Sequence, residues 1–201
     1  MFVPRIARSK IGDLADFRKS KEYITYVKKT VNTEFMKMKR RLIENFNSHP
    51  VTIEINAGPG SKNISNTLGG VGNLYSYIGF DKGSKPIQPI LSLLERETAI
   101  ASFVFSKNGT FKVFISNPTP QDIFNVTPLP WAQGRSWAEG IEKGLSGFGF
   151  YINKESSKSR SGIGLQVENK LRSGKFQNTS YITKLIRDFE LQVKQLNRST
   201  F

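Results

Sequence analysis

Cysteine is absent from the 201 residues and histidine occurs once, and these two scarcities remove whole classes of chemistry. Without cysteine there is no disulfide framework, no thiolate nucleophile and no sulfur-ligated metal site, and a reducing cytosol is the expected setting. With His49 alone, a multi-histidine metal centre is excluded, and any Ser-His-Asp triad would have to use a residue wedged between a helix end and Pro50. Long apolar runs are missing too. Nothing approaches the roughly eighteen residues that a membrane-spanning helix needs. The opening Met-Phe-Val-Pro-Arg-Ile-Ala-Arg is followed by neither an apolar block nor a small-residue cleavage site, so no secretory signal is expected. The length suits one well-buried core, and a single domain over residues 1–201 is the expectation, with residues 1–19 forming an extended arm.

Positive charge is plentiful and unevenly placed. The chain carries a net +14. Residues 1–41 hold twelve Lys/Arg against four Asp/Glu, residues 42–152 eight of each, and residues 153–201 ten against four, so the net charges are +8, 0 and +6. Two basic ends around a neutral middle make a field that attracts polyanions or acidic protein surfaces.

Periodicity organises the rest. From Ser20, a capping residue, apolar side chains recur at Ile24, Val27, Val31, Phe35, Met38, Leu42 and Phe46, one stripe of a long helix that should end before Pro50. The alternation Val-Thr-Ile-Glu-Ile at 51–55 reads as a half-buried strand. Residues 57–83 are rich in glycine and small polar residues and read as an ordered interaction loop, with a short strand at 74–78. A helix is expected over 86–98. A hairpin is expected to turn at Asn108-Gly109, whose tolerance of positive φ suits a tight turn. Prolines 118, 120, 128 and 130 mark an irregular passage into a short helix near Ser136, residues 154–162 a polar loop, 163–176 a second hairpin, and 179–197 a final amphipathic helix. The fold class is α+β: a small twisted mixed or antiparallel sheet with a long N-terminal helix and a C-terminal helix packed on it, and long glycine-rich loops.

No catalytic constellation emerges, and no cofactor is expected. Glu54, Asp81, Glu95, Glu97 and Asp122 are the carboxylates from which a nuclease-type metal site would have to be built, but their spacing shows no pattern. Gly-Pro-Gly-Ser-Lys at 58–62 lacks the Gly-Lys-Ser/Thr end of a nucleotide-binding loop, and Gly-Gly-Val-Gly at 69–72 lacks the dinucleotide fingerprint. Val-Phe-Ile-Ser-Asn at 113–117 resembles the shorter motif of RNA-recognition domains, and Gly-Phe-Gly-Phe at 147–150 the core of the longer one. In that alternative Phe114, Phe148 and Phe150 stack on bases. Against it, Ser146 replaces a basic residue, Asn153 replaces an aromatic, and the proline-rich passage occupies the place of the domain's first helix and second strand. On that count the three phenylalanines are expected in the core.

Three stretches together resemble structural proteins of tailed bacteriophages, in particular the neck or tail-completion proteins between portal and tail. They are Ile-Glu-Ile-Asn-Ala-Gly-Pro-Gly at 53–60, the glycine-rich run at 63–80, and Pro-Trp-Ala-Gln-Gly-Arg-Ser-Trp-Ala-Glu-Gly-Ile-Glu-Lys-Gly-Leu at 130–145. The resemblance implies a ring of identical subunits in the virion, made in the bacterial host cytoplasm. It also implies contacts with portal, adaptor or tail-tube proteins and nonspecific contact with packaged DNA, and no membrane. Partner or DNA contact is then expected at Lys37, Lys39, Arg40, Arg41, Lys154, Lys158 and Arg160. The assembly loop would comprise Gly58, Gly60, Lys62, Asn63, Gly69, Gly70, Gly72, Tyr75 and Tyr77, and shortening Gly58 to Gly72 should leave the monomer folded but abolish assembly.

Overall fold

The computed structural model describes residues 17–70, 72–106, 111–130, 132–143, 177 and 179–198. The Asn108-Gly109 turn, the polar loop at 154–162, the second hairpin at 163–176 and residues 1–16 of the arm lie outside the described residues.

Helix α1, Lys21–Ser48, begins where the Ser20 side chain accepts a hydrogen bond from the Tyr23 amide at 3.2 Å. At ~1.5 Å per residue it is about 42 Å long. Its apolar stripe buries Val27, Val31, Phe35, Met38, Leu42 and Phe46. Pro50 pushes His49 into extended geometry, and His49 ends one helix and starts the next. Its amide bonds back to Phe46 O, while its ring Nδ1 accepts from the Val51 amide at 3.3 Å, opening α2 (Pro50–Asn56). Residues 51–55 are therefore helical, where alternation suggested a strand. The burial is decisive: Ile53 is 42% exposed, whereas Val51, Thr52, Glu54 and Ile55 are buried, the spacing of a helix face. Likewise 74–78 is no strand but a helix, α3 (Leu74–Ile78), because Asn73 caps it by accepting from the Ser76 amide at 2.9 Å and Gly79 ends it at φ 86°.

Helix α4, Gln88–Glu97, carries Pro89 in its first turn and buries Ile90, Leu93 and Leu94. The hairpin follows as β1 (Ala99–Phe105) antiparallel to β2 (Phe111–Ser116), with a register shift between Ile100 and Ser102. Inside the proline-rich passage, expected to be irregular, lies α5 (Pro120–Asn125). Thr119 and Asp122 form a reciprocal capping box, and Pro120 fits the first turn, where no backbone donor is needed. Then β3 (Pro128–Leu129) pairs antiparallel with β4 (Ala132–Ser136), and α6 (Trp137–Lys143) starts with the Ser136 hydroxyl accepting from the Glu139 amide at 3.1 Å. Helix α7, Ile182–Arg198, closes the described chain.

The described residues are α+β in the broad sense and about 59% helical. The expected sheet carrying helices is not what the described residues form. They make two separate two-stranded antiparallel ladders, and the core is helix against helix. Phe46, Val51, Ile55, Leu74, Ile90, Ile123, Trp137, Ile141, Ile182 and Phe189 meet in one apolar cluster, while Ile100 and Ile115 of the hairpin only pack against its margin.

Candidate docking surfaces

The glycine-rich segment is tied to the core through a buried acid. Glu54, on the inner side of α2, is 0% exposed. Its Oε1 accepts from Asn63 Nδ2 at 2.9 Å and the Leu74 amide at 2.7 Å. Its Oε2 accepts from Asn63 Nδ2 at 3.1 Å, the Ser65 amide at 2.8 Å and Ser65 Oγ at 2.6 Å. A carboxylate taken from water costs several kcal/mol unless hydrogen bonds replace its hydration, and here donors from three parts of the segment do so. Asn63 extends the network, its Oδ1 accepting from the amides of Leu68 at 3.0 Å and Gly70 at 3.1 Å. The Gln177 amide reaches Thr67 O at 3.1 Å.

This divides the expected assembly residues. Gly60, Lys62, Gly69, Gly70 and Gly72 are exposed, Gly58 and Tyr77 are half-buried, and Asn63 points inward to Glu54. Tyr75 is buried: its hydroxyl donates to Asp81 O and its ring lies 5.3 Å from that of Phe80. Tyr75 and Asn63 therefore build the loop and are not on offer to a partner. Gly69, Gly70 and Gly72 have φ between 64° and 84°, conformations that side chains with a Cβ rarely adopt. Among the described residues no three His, Asp or Glu side chains gather closely enough to hold a metal ion.

The basic cluster of α1 divides in the same way. Lys37 pairs with Glu34 at 2.7 Å. Lys39 Nζ donates to Glu95 O at 2.5 Å, holding the carbonyl end of α4. Arg40 and Arg41 are exposed and have no hydrogen-bond or ion-pair partner among the described residues. Lys29, Met36 and Arg40 fall on one face of the helix, with Arg41 about 100° further round it and Tyr26 toward its N-terminal end; Tyr26 is 66% and Met36 48% exposed. Lys154, Lys158 and Arg160 lie outside the described residues.

Two features escaped the reading of the sequence. The β1–β2 hairpin shows Val104, 49% exposed, and Phe114, 51% exposed, on its outer face. Phe114 is thus a surface residue, contrary to the expectation of a core one; Phe148 and Phe150 lie outside the described residues. On the inner face Phe103, Phe105, Phe111, Val113 and Ile115 are only half-buried, with Lys28 Nζ 5.9 Å and 5.8 Å from the Phe103 and Phe105 rings.

The second is the joint that seats α7. Glu142 of α6 accepts from the amides of Tyr181 at 3.3 Å and Thr183 at 2.6 Å and from Thr183 Oγ1 at 2.5 Å, placing a carboxylate at the helix N-terminus. The Tyr181 hydroxyl lies 2.7 Å from Thr52 Oγ1, and its ring 4.7 Å from that of His49. Burial lowers the His49 pKa from 6.5 and the neighbouring Lys184 adds to this, against the Ser180 backbone hydrogen bond and Glu142. Burial also pushes the Tyr181 phenol well above its ordinary value. A comparison with protein-family models, curated proteins and solved structures returned no match.

Proposed function

We propose that the chain is a structural docking subunit that assembles with its own kind into a ring in the virion of a tailed bacteriophage, at the neck or tail end, as its resemblance to neck and tail-completion proteins implies. Its neighbours are then portal, adaptor or tail-tube proteins, with packaged DNA as a further contact. One observation carries the reading: the exposed surface is divided by chemistry. The outer face of α1 offers unpaired Arg40 one turn from Met36, with unpaired Arg41 on its flank and Tyr26 about four turns nearer the N-terminus, while the hairpin offers Val104 and Phe114 with a single charge on its two strands, Lys112. Unpaired arginines and exposed aromatic residues are what protein interfaces are enriched in.

Light scattering on the purified chain tests this. A discrete mass that is a multiple of 22.7 kDa supports assembly. A monomer at every concentration that ignores DNA and acidic proteins overturns it. Nonspecific nucleic-acid binding is the second reading, favoured by the same free arginines together with exposed Phe114. Tight binding to DNA or RNA by a chain that stays monomeric would establish it in place of the first.

A further inference from the structure

The single histidine stands where three helices meet. His49 ends α1 and caps α2, and its ring lies against the residues that lead into α7. Its Nδ1 accepts from the Val51 amide at 3.3 Å, and the ring makes a further hydrogen bond with the backbone of Ser180, two residues before α7 begins. The Tyr181 ring packs on both His49, at 4.7 Å, and Phe46, at 6.1 Å, and its hydroxyl lies 2.7 Å from Thr52 Oγ1. Further along, α7 is held less firmly. Ile182, Ile186 and Phe189 are buried, but beyond Phe189 none of the helix's described residues is. Gln192 Oε1 is shut off from solvent with no hydrogen-bond partner among the described residues, which opposes docking there. Helix α7 is therefore seated chiefly at its start, and His49 is part of that seat.

The seat tolerates a neutral imidazole and not a charged one. The charges that face the ring are Glu142 of α6 and Lys184 of α7, and the phenol of Tyr181 stays neutral. Glu142 is already committed to the amides of Tyr181 and Thr183 and to the Thr183 hydroxyl. A proton on Nδ1 would set one donor against another at the Val51 amide and place a cation in a half-buried site near Lys184. Turning the ring to escape would give up the Ser180 contact and the packing on Tyr181. We infer that His49 is a proton-operated latch on α7: when the ring gains a proton, residues 181–198 leave their seat while the rest of the core stays folded. The latch goes beyond the assembly reading and does not depend on it.

Amide hydrogen exchange of the full chain from about pH 7 to about pH 5, corrected for the intrinsic exchange rate, tests it. Residues 181–189 report the latch, and the buried residues 90–94 of α4 report global unfolding. The expected opening constant at 181–189 is at least about tenfold larger than at 90–94 throughout. It should also rise as pH falls below 6.5, by up to about tenfold per pH unit, and level off once the folded pKa of His49 is passed. Because His49 is the only histidine, its ring protons give that pKa directly by NMR. His49→Asn keeps a capping oxygen but does not titrate, so its opening at 181–189 should not vary with pH. A helix α7 that opens only together with residues 90–94 overturns the latch. So does an opening that is constant across this range, or a pH dependence that persists in His49→Asn. If the variant does not fold, the ring titration of the parent decides: a His49 pKa away from the pH at which opening levels off overturns the latch as well.

Discussion

Glu54 receives hydrogen bonds from Asn63, Ser65 and Leu74 while wholly removed from solvent. Glu54→Gln would turn one of its two accepting oxygens into a donor facing other donors. A cost of about 2–3 kcal/mol is expected, since buried groups are then left unpaired beside a lost charge-assisted bond. Urea unfolding measures it, and a midpoint within error of the parent would show that the network carries no stability. For the same reason, deletion of residues 58–72 should unfold the monomer, where the sequence-based expectation is a folded monomer that no longer assembles. His49 makes a different statement. Its ring Nδ1 accepts the Val51 amide, which a protonated imidazole cannot do, and its folded pKa is lowered from 6.5, chiefly by burial. A depressed pKa means the folded state binds fewer protons. The stability from neutral His49 is therefore complete above pH 6.5 and is lost as pH falls from there through the folded value. The capping carboxylate of Asp122, also depressed, contributes above 3.8 and is lost only as pH falls below that, so its loss begins at lower pH than that of His49. Melting temperature should decline from pH 7 toward 5 in the parent, and His49→Asn, which can still cap but does not titrate, should flatten that limb.

At the scale of elements, Lys39 and its neighbours separate structural cations from free ones. Lys39→Ala should cost about 0.5 kcal/mol, because it removes the cation from the carbonyl end of α4 at a site partly screened by solvent. Arg40→Ala with Arg41→Ala should leave stability within about 0.5 kcal/mol, as surface changes do. Thermal unfolding reads both, and a double variant destabilised by more than about 0.5 kcal/mol would contradict the free status of the arginines. The sequence shows why such distinctions are hard to read in advance. The stripe from Val27 to Phe46 is long enough for its period to be unambiguous, and α1 was legible from it, as α7 was from its own stripe beginning at Ile182. Val51–Ile55 was not, because five residues satisfy a period of two and a period of 3.6 together, and only the His49-Pro50 cap decides between them. Leu74–Ile78 and Pro120–Asn125 are each shorter than two turns, so their capping residues carry the signal: Asn73 before the one, and Thr119 with Asp122 around the other. Helix α7 starts at Ile182, later than 179, because its N-terminal carboxylate comes from Glu142, about forty residues away, which no local pattern reports. Of the candidate surfaces, the cation-rich stretch of α1 was visible as composition. The exposure of Val104 and Phe114 was not, since apolar alternation in a strand does not say which face meets solvent.

Across the whole molecule, the two proposed kinds of contact must answer to salt in opposite directions. Contact between copies brings together chains that each carry +14, so repulsion opposes it and screening relieves that repulsion. The Debye length falls from about 10 Å at 0.1 M to about 3 Å at 1 M salt. Docking of an anionic surface on α1 gains from the same charges and loses as they are screened. For a DNA duplex the logarithm of affinity falls with the logarithm of salt at a slope of about −0.9 per phosphate neutralised. Raising salt from about 0.1 M to 0.5 M should therefore strengthen self-association while weakening duplex binding. Removing Arg40 and Arg41 should make the duplex slope shallower by about two and leave self-association no weaker. Sedimentation of the chain alone and anisotropy with a labelled duplex read the two dependences separately. If both weaken together with salt, the copies are held by charge pairs, and the division of the exposed surface by chemistry fails.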